Sequence, residues 1–238
     1  MLEDQARLHK IIIPFAREAL VSQRRRLDIW WPSKVTRDEN PDFKAKLIRF
    51  YGRNHPTDSN LVKCMIINEY LPKNIVIGSH IYKASTYGSG LEDFGLKETD
   101  LYNERNGLLL YDSIEKAFDV KELCFFHNVF DNTLVLHILK KELLPLQLIR
   151  ANHSNLIPAS LSNIVLKFSD VEGRALSLSA GTCPFKRILS WHARCSVRHA
   201  TKMGWISTEE AEMYQPYFDL SAGAMEPNEL DEADLSGI

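Results

Sequence analysis

The chain has 238 residues, is 45% hydrophobic and 25% charged, and carries 29 Lys+Arg against 31 Asp+Glu. That length suits one or two domains with a sizeable core, and that balance excludes a disordered, collagen-like or coiled-coil chain. No apolar run nears the roughly 20 residues of a membrane span, the N-terminal MLEDQARLHK has no signal-peptide core, and no two of the four cysteines form a CxxC pair, which points to a reduced intracellular protein rather than a zinc ribbon or a disulfide scaffold.

Residues 3–26 read as helical, with Leu8, Ile11, Ile12, Phe15, Ala19 and Leu20 at helical spacing, a break at Pro14, and Arg24, Arg25 and Arg26 closing the helix. Residues 41–52 read as a second helix with Phe43, Leu47, Ile48 and Tyr51 on one side and Gly52 as its stop. The turn-forming stretch 53–60 marks a boundary. Strands are expected at 61–67 and 75–81, separated by a loop at 68–74. A long loop over 82–105 precedes a third strand at 106–111, and a loop of that length in a compact domain is usually functional. A short helix at 112–120 follows, then two strands at 123–128 and 133–139 around a turn at Val129–Asn132. Residues 162–179 look like a β-hairpin turning at Asp170–Gly173. Residues 185–205 form a strong helix between Pro184 and Gly204.

The charge is unevenly distributed. The last basic residue is Lys202 and nine acids follow Trp205, so residues 1–206 hold 29 basic and 22 acidic side chains, a net of +7. A basic body is the electrostatic footprint of a polyanion binder, although a charge run can also be a solvated surface. Within it, Arg187, Trp191, Arg194, Arg198 and Lys202 recur every three or four residues along the 185–205 helix, with Lys186 beside them and no acid between 174 and 206. Such a stripe suits contacts to phosphates. Trp191 has two fates open to it, stacking on a base or packing in the core. The acidic end could fold back over this stripe.

The order of elements over 75–119 brings chemistry-bearing residues together. His80 ends one strand, Asn106 opens the next, and Glu115 and Asp119, four residues apart, share one face of the following helix. A general base opposite a carboxylate-held cation suits phosphodiester hydrolysis. Each residue also has a plain structural reading. His80 could be a half-buried strand histidine, and Asn106-Gly107 a turn. Asp112 and Glu115 could form a capping box, and Asp119 could be a solvated acid.

The segments GSHI and RNGLLLYDSIEKAFD resemble the HNH, or His-Me finger, nuclease motif, in the variety reading AHI, then NGLLL, then FD. The resemblance covers residues 61–130, about a third of the chain. It implies a ββα-metal core in which His80 activates water and Asn106 pins the loop by backbone hydrogen bonds. It further implies that Glu115, helped by Asp119, holds one divalent metal. Two positions depart from the motif: Ser79 stands where an Asp is common, and Glu115 where His or Asn is usual. Oxygen ligands favour Mg²⁺ or Mn²⁺ over Zn²⁺. A weaker resemblance links the chain to nuclease-like domains of fungal and oomycete effectors of the crinkler type, which implies an intracellular site of action, the nucleus included.

The expected architecture is therefore α+β. A helical N-terminal segment (1–58) precedes an HNH-like core (59–140). A hairpin and basic helix (141–206) and an acidic tail (207–238) complete it. The expected function is metal-dependent endonucleolytic cleavage of DNA, with RNA open as a substrate, no small-molecule cofactor and no membrane partner. The alternative is a degenerate HNH-fold module that binds nucleic acid or a protein without cutting.

Overall fold

The computed structural model describes residues 41–158 and 165–217. The helix expected at 3–26, its arginine run and the tail beyond 217 lie outside the described residues. Those described belong to one compact unit, Thr36–Ile238.

Helix α1 spans Pro41–Phe50. Phe43, Leu47, Ile48 and Tyr51 are buried as its spacing predicts, and Gly52 ends it with φ of +60°. Burying each of these large apolar side chains contributes about 1.5–3 kcal/mol. The face they form packs on an antiparallel hairpin of β3 (Val76–His80) and β4 (Gly107–Tyr111), in register from Val76 opposite Tyr111 to His80 opposite Gly107. The approach is close because of two glycines. A Cβ at Gly107 would stand 2.7 Å from Leu47 Cδ2 and 2.7 Å from Phe43 Cζ, and one at Gly78 would stand 3.1 Å from Lys44 Cβ. The Tyr51 hydroxyl donates to the Gly107 carbonyl at 3.1 Å, locking helix to strand. The boundary read at 53–60 therefore does not detach this helix from the sheet that follows.

Upstream of β3, a small ribbon pairs β1 (Leu61–Lys63) with β2 (Tyr70–Pro72). The sequence reading made 61–67 one strand and 68–74 a loop. In the structure the strand stops at Lys63, and Asn68 takes a positive φ of 61°, reversing the chain so that Tyr70–Leu71–Pro72 pairs back. Apolar runs such as Cys64–Ile67 are buried without being extended, which periodicity alone cannot tell from a strand.

Helix α2 (Asp112–Asp119) follows β4 directly and contacts both strands of the hairpin. Ile114, Ala117 and Phe118 are its buried apolar positions, and Asp112 is buried at its start. Strands β5 (Leu123–Asn128) and β6 (Thr133–Ile138) form a second antiparallel hairpin. Helix α3 (Lys186–Lys202) packs on β5, with Ala193, Val197 and Ala200 against Cys124, Phe126 and Leu139.

Two expectations for the C-terminal part need correction. Among the described residues, 165–179 form no hairpin. Phe168–Asp170 is a 3-10 turn, and the flanking segments make only single bridges, Gln147 with Lys167 and Val135 with Ala175. Asp170 accepts from the Lys167 amide at 2.7 Å, so the turn residues close a local loop instead of joining two strands. The acidic end is also not uniformly a tail. Helix α4 (Thr208–Met213) is capped by Ser207, whose hydroxyl accepts from the Glu210 amide at 3.1 Å. It delivers Tyr214 onto Phe126, with ring centroids 4.7 Å apart.

Candidate active site

The site grows out of the loop between β3 and β4. Tyr82–Arg105 is built from successive 3-10 turns at Ala84–Thr86, Leu91–Phe94, Glu98–Tyr102 and Glu104–Asn106. Leu91 and Leu101 are buried inside it, the form of a loop packed by its own side chains. Asn106, fully buried, ties its neck. Its side-chain oxygen accepts from the Tyr82 amide at 2.8 Å, and its amide group donates to the carbonyls of Tyr82 at 3.2 Å and Leu101 at 2.8 Å. One side chain thereby satisfies three backbone groups at both ends of the loop, where a turn asparagine would serve only its own neighbours.

His80 closes β3 at the entrance to this loop. Its ring lies flat on Phe43 of α1, with centroids 3.8 Å apart and planes 11° apart, and meets the edge of Tyr102 at 5.8 Å. It is partly exposed, unlike its neighbour Ser79, which is buried. Phe43 and Tyr102 thus fix the plane of the imidazole from two sides, and its Nε2 is buried.

Three residues past His80, Lys83 forms an ion pair with Asp119, and the two side chains are only 13% and 10% exposed. Its ammonium also donates to the Asp119 carbonyl at 3.3 Å. An acid at a helix C-terminus faces the negative end of the helix dipole, so a cation there relieves both the carboxylate and the terminal carbonyl. Burial pushes the Lys83 ammonium down to about 8, the Glu115 carboxylate pulls it up, and Lys121 pushes it down. Direct contact with Asp119 favours the charged form. Removing one partner of a pair this sheltered costs about 3–5 kcal/mol.

Asp112 and Glu115 do not form the capping box that the sequence allowed. The Asp112 carboxylate is held by Arg150 at 2.9 Å and Lys116 at 3.1 Å, and Tyr111 is the N-cap. Glu115 instead shares the field of Lys83 with Asp119 one turn on. Two carboxylates one turn apart on a helix are oxygen donors of the kind a hard divalent ion takes. The set does not fit one in this conformation, because the Lys83 ammonium already holds Asp119. Among the described residues no group of three or more His, Cys, Asp or Glu side chains is gathered to hold a metal.

The basic stripe divides in two. Lys186 donates to the Asn132 side chain at 2.8 Å and Arg187 to the Phe94 carbonyl at 3.4 Å. Trp191 is 9% exposed and packs between Tyr82 at 5.4 Å and Phe94 at 5.6 Å. Base stacking by Trp191 is therefore corrected to a core role, because this end of the stripe faces the loop. Arg194 is half-buried, whereas Arg198 and Lys202 are exposed. On the opposite side of α3, His192 is buried and stacked on Phe118 at 3.9 Å. Burial, with Lys83 and Lys121 adding to it, holds this imidazole well below its ordinary range.

Sequence reasoning missed Lys83 and Phe43 as parts of the site. Lys83 had one signal: an acid at the unfavourable end of a short helix calls for a cation, and Lys83 follows the strand-end histidine. Phe43 had none, since its periodicity says only that it is buried.

Comparison with curated proteins and with solved structures gives no match. A scan against protein-family models matches residues 64–125 to the HNH endonuclease model. That span runs from the ribbon through His80, Lys83, Asn106, Glu115 and Asp119 to β5, and over it the sequence is similar to the HNH endonucleases.

Proposed function

We propose that this protein is a nuclease that hydrolyses phosphodiester bonds of nucleic acid, DNA foremost. The observation that carries the reading is the strand-end His80, clamped by Phe43 and Tyr102 beside a loop that Asn106 ties shut, with His80, Tyr102 and Asn106 inside the segment that matches the HNH endonucleases. In this reading His80 takes a proton from water as the water oxygen bonds to phosphorus. The bond from phosphorus to the 3′ oxygen breaks, and the leaving oxygen is protonated from solvent. Imidazole suits the task because its ordinary pKa, about 6.5, leaves it largely neutral at physiological pH. Arg198 and Lys202 supply the exposed cations for backbone phosphates, and Arg194 flanks them. HNH endonucleases generally use a divalent metal. Should Lys83 release the carboxylates, their oxygens favour Mg²⁺ or Mn²⁺ over Zn²⁺.

The experiment is cleavage of supercoiled plasmid, single-stranded DNA and RNA, with Mg²⁺, Mn²⁺, Zn²⁺ or EDTA, by wild type and His80→Ala. Wild type should nick plasmid in at least one condition, and the variant should lose about 10²- to 10⁴-fold, the usual worth of a positioned base. A second reading is favoured by the ion pair of Lys83 with Asp119: a module of the same fold that binds nucleic acid or a protein without cutting. Retarded DNA on a gel with no cleavage in any condition would select it and sink the nuclease.

A further inference from the structure

Lys83 sits where chemistry would otherwise want a metal. It pairs with Asp119, it feels the charge of Glu115, and Lys121 adds a second positive charge to the same cluster. The Lys83 ammonium thus supplies, at the Asp119 carboxylate, the positive charge that a bound cation would give. The second contact of Lys83, to the carbonyl that ends α2, anchors it there. Its backbone is held as well, since Lys83 follows Tyr82, whose amide and carbonyl are both bound by Asn106. The ammonium is therefore positioned by the fold on both sides.

We propose that Lys83 is the resident cation of this site, a built-in replacement for a divalent ion at the carboxylates of α2. The inference rests on reading this cluster as the nuclease-type site, but its test does not depend on cleavage. Lys83 is a positioning residue here: it holds Asp119, and with it the end of α2, in place opposite the loop.

The test is Mn²⁺ binding to the full chain, followed by loss of the free-ion paramagnetic resonance signal, and the melting temperature with and without Mn²⁺. The proteins are wild type, Lys83→Met and Lys83→Met with Asp119→Asn. Wild type should show no saturable Mn²⁺ site and no Mn²⁺-dependent rise in melting temperature. Lys83→Met should gain one site, at least about tenfold tighter than any wild-type binding, and should be stabilised by Mn²⁺ through that binding. The added Asp119→Asn should abolish both gains. A saturable wild-type site that Glu115→Gln removes would overturn the proposal, as would a folded Lys83→Met that binds Mn²⁺ no better than wild type. If Lys83→Met does not fold, the wild-type titration decides alone: a site lost in Glu115→Gln overturns the proposal, and no saturable site upholds it. A Lys83→Met site in a protein that never cuts would leave Lys83 standing and remove the nuclease reading.

Discussion

Replacing Asn106 with alanine should unfasten the loop on which the site depends. The side chain makes three hydrogen bonds to buried backbone, to the Tyr82 amide and to the carbonyls of Tyr82 and Leu101. Each bond contributes about 1 kcal/mol net, and a stranded buried donor costs about 1–3 kcal/mol. Together these give about 4–6 kcal/mol, a large part of the roughly 5–15 kcal/mol that holds an ordinary domain. With a urea dependence of about 2 kcal/mol per molar, the unfolding midpoint should fall by about 2–3 M. Asn106→Asp separates the roles, since it keeps the acceptor for the Tyr82 amide and loses both donors. The assays are urea unfolding followed by circular dichroism and hydrogen exchange at the Tyr82 amide. Exchange there should accelerate strongly in the alanine variant and less in the aspartate variant. A loss under about 0.5 kcal/mol with Tyr82 still protected would refute the reasoning.

Gly107→Ala should cost about 1–3 kcal/mol by overpacking, because its Cβ would meet Leu47 and Phe43 at 2.7 Å; an unchanged urea midpoint would count against the close-approach argument. His192 sets a pH dependence of stability. Folded, its ring stays neutral well below the ordinary value of 6.5, whereas the unfolded chain takes up a proton there. Stability is thus full above 6.5 and falls as pH drops below it, by up to about 1.4 kcal/mol per pH unit, and His192→Phe should flatten that slope in urea melts at pH 5 to 7. On the proposed nucleic-acid-binding reading, Arg198→Ala and Lys202→Ala should each lower the salt dependence of DNA binding by about one counterion. Trp191→Ala should instead cost about 3–5 kcal/mol of stability, and equal effects of all three on the salt slope would contradict the division of the stripe.

Much of the frame was legible without coordinates. Phe43, Leu47, Ile48 and Tyr51 announced α1 by spacing, and Leu108, Leu109 and Leu110 announced a buried strand by continuity. Local periodicity and local turn chemistry suffice where an element is defined by its own side chains. They failed at Tyr70–Pro72, a three-residue strand too short to carry a pattern, and at 165–179, where alternating residues meet different neighbours instead of each other. The motif order His80, Asn106, Glu115, Asp119 was likewise present in the chain as written.

What each of those residues touches was a matter of tertiary structure alone. The sequence determined that two carboxylates would share a face of α2. It could not determine that Lys83, from the far side of a strand and at the start of a long loop, would arrive to neutralise one of them. Nor could it choose between base and core for Trp191, a choice made by the loop folding Tyr82 and Phe94 onto that side of α3. The physical reason is the same in both cases. Helix and strand periods are properties of consecutive residues, whereas the partner of a buried charge or ring is set by which distant surface closes over it.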